Sequence, residues 1–276
     1  FISMNENPPA IDDLLFEDNL NVQAMMLNVT SSMNIRDVKF KNYNYENNLD
    51  ENNLVNLDSW QIGGVITIKE FKFSDIKNAR CIIMTQNKYQ ANIQSCEFTN
   101  INIGTGIECL TGSGIYCILN GNMTIDGCIF TNVECFNDGA AISAEVQAVE
   151  IKNCKFFKCY TTNERATSSG RGGAIYMNAE FSETEEVLEN NYFEDCTAPT
   201  MGGAVYITGR DVERSNLLED DYGKYNVRIT KCNFTRCKSS QVGGAISSGQ
   251  YDNYGGYAYE DNDLQGQEER DDEENL

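Results

Sequence analysis

The stretch Val149-Glu150-Ile151-Lys152-Asn153-Cys154-Lys155-Phe156 sets apolar side chains at 149, 151, 154 and 156 against Glu150, Lys152 and Lys155. Alternation with a period of two, in β-branched and aromatic residues, predicts a strand; the offset between 151 and 154 predicts a kink. The same frame recurs along the chain on Phe40, Phe73, Phe98, Phe130, Phe156, Phe193 and Phe234. Five residues before each stand Ile35, Ile68, Ile93, Ile125, Ile151, Leu188 and Ile229. Two before stand Val38, Phe71, Cys96, Cys128, Cys154, Asn191 and Cys232, and three after stand Tyr43, Ile76, Ile101, Val133, Cys159, Cys196 and Cys237. Only Asn191 interrupts these apolar columns.

A second element follows the later phenylalanines: Gly-Ser-Gly-Ile-Tyr at 112–116, Gly-Ala-Ala-Ile at 139–142, Gly-Gly-Ala-Ile-Tyr at 172–176, Gly-Gly-Ala-Val-Tyr at 202–206 and Gly-Gly-Ala-Ile at 243–246. Small residues there allow close backbone approach at a corner. A unit of short strands cannot bury its apolar face alone, so units must stack. The fold expected is therefore all-β, a parallel β-helix (β-solenoid) of about seven rungs with inserted loops. Rungs spaced by about 4.8 Å would give a rod roughly 30 Å long. Helical repeats fail for lack of a 3.6-residue period, and propeller blades need about 40 residues each.

At 172–176 and 202–206, and at Cys-x-Phe-x-x-Cys in 154–159 and 232–237, the sequence resembles the polymorphic outer-membrane protein repeats of chlamydial surface adhesins. Large surface proteins of protists carry them too, and a protist version is the expectation here. The resemblance spans about residues 33 to 247. It implies a right-handed parallel β-helix of the pectin-lyase-like type and an adhesive role. The Gly-Gly-Ala-Ile half matches. The Phe-x-x-Asn half departs, because Tyr, Ile, Val or Cys stands three residues after Phe, which removes the family's internal asparagine ladder.

The chain of 276 residues carries 21 basic and 42 acidic residues, net −21, and no histidine. That balance opposes nucleic acid and anionic membrane as partners. The missing histidines remove Ser-His and Cys-His nucleophiles and the commonest metal ligand. No apolar run is long enough for a transmembrane helix. The start Phe1-Ile2-Ser3 reads as a processed or partial chain, with any leader outside it. Residues 1–32 are expected to form an N-terminal segment and possible cap, with Ile11–Leu27 as a candidate capping helix. Residues 33–249 hold the repeats. Residues 250–276, with ten acids and Arg270 as the one base, read as a disordered acidic tail. Within it, 261–272 superficially follows an EF-hand loop, but Asp272 replaces the final Glu and no helices flank it, so a solvated tail is the better account.

Eleven cysteines include Cys96, Cys128, Cys154, Cys159, Cys196, Cys232 and Cys237 in the interior columns. They read either as disulfides (Cys154–Cys159 and Cys232–Cys237 within units, or bridges between stacked units) or as ladders of buried thiols, the latter preferred. Zinc is disfavoured without histidine or paired knuckles. Asn28, Asn122 and Asn233 stand in glycosylation sequons. A polysaccharide lyase or hydrolase would need clustered carboxylates. Glu97, Asp126, Glu150 and Glu194 are scattered over different columns, so no catalytic residue, cofactor or metal is assigned. The function expected is a non-enzymatic, extracellular or cell-surface structural and adhesive module. It would present loops to a protein or glycan partner, or stack end to end with itself. The alternatives are an intracellular scaffold subunit and, behind it, the polysaccharide enzyme.

Overall fold

The computed structural model describes residues 2–4, 12–18, 24–28, 33–45, 52–58, 64–85, 89–103, 111–163, 169–179, 186–210 and 227–251. The chain is all-β. Its strands make two parallel sheets, of 14 and ten strands, and no α-helix occurs among the described residues.

The second sheet contains the phenylalanine strands Leu14–Glu17, Val38–Asn44, Lys72–Lys77, Glu97–Asn102, Ile129–Cys135, Lys155–Thr161, Tyr192–Glu194 and Asn233–Thr235. Each pairs in register with its counterpart one repeat on, so that Phe16, Phe40, Phe73, Phe98, Phe130, Phe156, Phe193 and Phe234 fall on one line. Their rings stack with centroids 4.5 to 5.2 Å apart and planes within 11°. Translation from one strand to the next forces the rings parallel; the strand spacing of about 4.8 Å offsets them, the arrangement aromatic quadrupoles favour. From Phe40 to Phe193 every ring is buried.

The first sheet carries two further columns. Ile35, Ile68, Ile93, Ile125, Ile151, Leu188 and Ile229 form one. Ile2, Met25, Val55, Ile82, Ile115, Ile142, Ile175, Val205 and Ile246 form the other. Strands Ile115–Asp126 and Ile142–Lys152 run through both columns, with a register shift between Leu119 and Asn122. This joins the two columns into one curled sheet. The apolar columns of both sheets meet in a single core.

Two corners recur in every unit. The residue three before each Phe (Asp13, Asp37, Glu70, Ser95, Gly127, Asn153, Asn190, Lys231) and the residue two after it (Asp18, Asn42, Asp75, Asn100, Asn132, Lys158, Asp195, Arg236) have positive φ, between 50° and 66°. Asn and Asp tolerate this left-handed region best, which explains their frequency there. The kink expected between Ile151 and Cys154 is Asn153. Corner amides still reach the next repeat: Glu70 N–H donates to Gln94 C=O at 2.9 Å and Asn190 N–H to Thr230 C=O at 2.9 Å. Gly172 needs its hydrogen for a second reason, since a Cβ there would lie 2.1 Å from Ile175 C=O.

The helix expected over 11–27 is not formed. Leu14–Glu17 and Met25–Asn28 are strands, and Phe16 stacks on Phe40 at 5.2 Å. Burying Leu14 and Phe16 by period two outweighs the helical spacing of Leu14, Leu15 and Leu20, and it leaves Leu15 61% exposed. Of the disordered tail expected over 250–276, Gln250 and Tyr251 instead end the strand Ile246–Tyr251, paired with Gly209 and Arg210. Residues 252–276, with the EF-hand-like segment 261–272, lie outside the described residues.

Truncating Phe130→Ala removes one buried ring and its contacts on both sides, at a cost of about 3–5 kcal/mol. Leu15→Ala, on the outward face, should stay within about 0.5 kcal/mol of the parent. Urea unfolding of the two variants gives both numbers; equal midpoints would refute the assigned faces.

Candidate functional site

A repeat puts one residue of each unit at each surface position, so any site must be assembled from neighbouring units along a column. The outward side of the second sheet does this between the units of Phe73 and Phe156. The positions two after Phe give Asp75, Asn100 and Asn132, and the positions four after give Lys77, Asn102, Glu134 and Tyr160. Together they line a shallow groove of 220 Å³.

The left-handed corner turns the first set outward, where the amides chain together. Asn100 Nδ2 donates to Asp75 Oδ1 at 2.9 Å, and Asn132 Nδ2 donates to Asn100 Oδ1 at 3.0 Å. In the second set, Glu134 Oε2 accepts from Asn102 Nδ2 at 2.6 Å and from the Tyr160 hydroxyl at 2.8 Å. Partial burial, then the Glu134 carboxylate, push the Tyr160 phenol up to about 12, so it stays a neutral donor. The groove is thus a set of fixed amide, carboxylate and ammonium groups closed at one end by a half-buried aromatic ring.

A second cluster lies over the first sheet. Arg171 and Asp138 are nearly buried, at 11% and 9% side-chain exposure. Asp138 accepts from Arg171 Nη2 at 2.9 Å and from the Arg171 backbone N–H at 2.8 Å. The guanidinium sits 5.1 Å from the Tyr176 ring and 4.8 Å from the Tyr206 ring, within cation–π range. Burial opposes its charge, but the hydrogen bonds and charge of Asp138 outweigh that and raise its pKa. This cluster pins the returning end of the insertion at 161–171.

Six of the ten described cysteines occupy two stacked series. Cys96, Cys128 and Cys154 lie two before successive phenylalanines, and Cys159, Cys196 and Cys237 lie three after. Each Sγ bonds to backbone carbonyls, as Cys154 does to Lys152 C=O at 3.1 Å and Cys128 to Ile93 C=O at 3.7 Å. The ten described cysteines are free, and all but Cys232 and Cys237 are buried. Burial pushes the Cys81, Cys96 and Cys117 thiols well up. Within-unit bridges do not occur. Strand residues 155–157 and 233–235 hold Cys154 from Cys159 and Cys232 from Cys237, and three residues of strand already span about 10 Å, past the roughly 7 Å limit for a disulfide. Asn191, the polar residue in the apolar column, is 2% exposed and fully engaged: its Nδ2 donates to Ile151 C=O at 2.8 Å and its Oδ1 accepts from Cys154 N–H at 2.9 Å.

Asn122 and Asn233 are exposed on strands; Asn28 is in strand Met25–Asn28, its side chain outside the described residues. The acids considered for hydrolysis are each engaged separately: Glu97 with Lys72 at 3.0 Å, Glu150 with Lys152 at 3.0 Å, Asp126 with Asn153 at 2.7 Å, and Glu194 with Arg236. Sequence reading missed the groove and the Arg171 cluster. The signal for the groove was the Asn and Asp column two after Phe, one position before the column inspected for asparagines.

No helix among the described residues is long and apolar enough to cross a membrane. No family model, curated protein or solved structure matches the chain.

Asp138→Ala should cost about 3–5 kcal/mol, because it strands a buried guanidinium; a urea melt reads this directly. Among the ten described cysteines, iodoacetamide should label Cys232 and Cys237 first in the native protein. Both thiols are raised by their surroundings, burial foremost for Cys232 and, for Cys237, the hydrogen bond its thiol donates to Cys196. Their rates should therefore climb about tenfold per pH unit through the alkaline range, without levelling near the value of a free thiol. Peptide mapping of the alkylated sites checks both order and slope.

Proposed function

We propose that the chain is a right-handed parallel β-helix of the polymorphic outer-membrane repeat type. In this reading it serves as a non-enzymatic structural and adhesive module outside the cytosol. The observation that carries this is the unbroken line of stacked phenylalanines. Seven successive in-register pairings with one ring geometry make a stiff element whose strands tolerate insertions between them. The insertions at 161–171, 181–186 and 210–224 begin or end on strands Lys155–Thr161, Glu186–Glu189 and Val205–Arg210, and a module of this kind carries variable surface to its partner on such connections. The Gly-Gly-Ala-Ile half of the later units supports the family reading through corner glycines such as Gly172 and Gly202.

End-to-end stacking of copies has weaker support. The last repeat does leave Ile229, Phe234 and Ile246 only partly covered. However, among the described residues one path of the first sheet has nine strands against eight for the phenylalanine path. Continuing the first in register between two copies leaves a missing strand in the second.

One observation favours a second reading, an intracellular scaffold subunit: ten free thiols, eight of them buried, suit a reducing compartment. Intact mass of the native protein separates the two, measured before and after reduction with alkylation and after enzymatic deglycosylation. Sugar on Asn122 or Asn233 is the expected result. Bare asparagines together with eleven free thiols would overturn the surface reading in favour of the scaffold.

A further inference from the structure

We propose that the groove on the outer face of the second sheet binds a neutral, hydroxyl-rich glycan chain running along the columns, across successive strands. This deepens the surface-module reading and rests on it for its biological setting, though the chemistry of the groove stands by itself.

Three observations point to that ligand. The first is the kind of group presented. Amides of Asn100, Asn102 and Asn132 and carboxylates of Asp75 and Glu134 stand beside the Lys77 ammonium in one groove. Such groups donate to and accept from hydroxyls in pairs, as vicinal sugar hydroxyls require. Tyr160 closes the groove with a half-buried ring, and the apolar CH face of a pyranose packs against such a ring.

The second is periodicity. Polar side chains recur at the strand spacing of about 4.8 Å, as Asp75, Asn100 and Asn132 beside Lys77, Asn102 and Glu134, so that an extended sugar chain would meet hydrogen-bonding groups at each strand it crosses. The third is preorganisation. Asn132 to Asn100 to Asp75, and Asn102 and Tyr160 to Glu134, already hold one another by hydrogen bonds of 2.6 to 3.0 Å. Asn102 and Asn132 each spend one donor in this way, Asn100 a donor and an acceptor, and the rotamers are set before any ligand arrives. This lowers the entropic cost of binding.

Charge selects neutral over acidic glycans. The groove holds Asp75 and Glu134 against Lys77, on a chain of net charge −21, which repels sulfated or uronic polymers.

Glycan-array screening with neutral and acidic oligosaccharides, followed by calorimetric titration of cellohexaose, chitohexaose and the best neutral array ligand, tests this on the full chain. A neutral oligosaccharide should bind, with hexamers tighter than dimers. Tyr160→Ala should weaken that binding at least tenfold and Glu134→Gln severalfold, while Leu15→Ala leaves it unchanged. Circular dichroism and urea midpoints of the variants keep loss of binding apart from loss of fold, and the conservative Tyr160→Phe should retain most of the affinity through its ring. Three outcomes would overturn the proposal: no neutral ligand at millimolar concentration, acidic ligands only, or binding indifferent to folded Tyr160→Ala. The intact-mass experiment decides the surface reading independently, so failure of either inference leaves the other standing on its own result.

Discussion

A parallel strand stacked in register on its counterpart repeats every side-chain position about 4.8 Å further on, and the rest of the molecule answers to that constraint. Inside, each position must be filled by something that tolerates its own kind as a neighbour. Phenylalanine does so by offset stacking, isoleucine by dispersion, and cysteine by staying a small apolar thiol that bonds to a backbone carbonyl. Outside, like charges directly opposite would repel. The outer columns answer with opposite charges at Glu17 against Lys41, 2.6 Å apart, and at Lys72 against Glu97, 3.0 Å apart. Where Lys39 stands opposite Lys72 and Arg36 opposite Lys69, a corner acid takes up the cation, as Asp37 does Lys39 and Glu70 does Lys69, each at 3.2 Å. Alternatively they use amides, which can donate to one neighbour and accept from the other. Asp18 to Asn42, and Asp75 through Asn100 to Asn132, take this second route.

The amide columns depend on the corners. A left-handed residue two after each phenylalanine ends one strand segment and turns its own side chain outward, where the residue best suited to that φ is also the one best suited to a ladder. Backbone preference and side-chain hydrogen bonding thus select the same amino acids at Asn42, Asn100 and Asn132. Lys158 and Arg236 take the same φ, so tertiary context overrides propensity there. Arg236 regains part of that cost through its hydrogen bonds to Asp195 at 2.7 and 3.0 Å.

How far the sequence could be read follows from this geometry. Columns five before, two before and at each phenylalanine were legible because the interior demands like residues at fixed spacing. The unit of Phe16 was not, because its Gly-Gly-Ala half is absent and Leu14, Leu15 and Leu20 also fit a helical face. The early members of the Ile246 column, at Met25, Val55 and Ile82, escaped for the same reason: no glycine corner announces them. The asparagine ladder was sought inside the fold, where the family resemblance puts it, and lies outside, one position earlier. The Arg171–Asp138 contact spans 33 residues across an insertion of irregular length, so no periodicity could have revealed it.

A column that repeats serves the stack, and a column that breaks has to be accounted for. Asn191 breaks the apolar column beside Cys154, but both ends of its amide are spent on the backbone; the break is structural, bridging two neighbouring strands in place of a thiol. Glu134 and Tyr160 break the polar column that begins at Asn44 and Lys77 in a different way. They bond to each other and to Asn102, and both line the outward groove, only partly buried. A departure that the core absorbs needs no ligand. One that faces water, fixed by its neighbours and aligned with three further units, is where a fold made of identical steps can distinguish one partner from another.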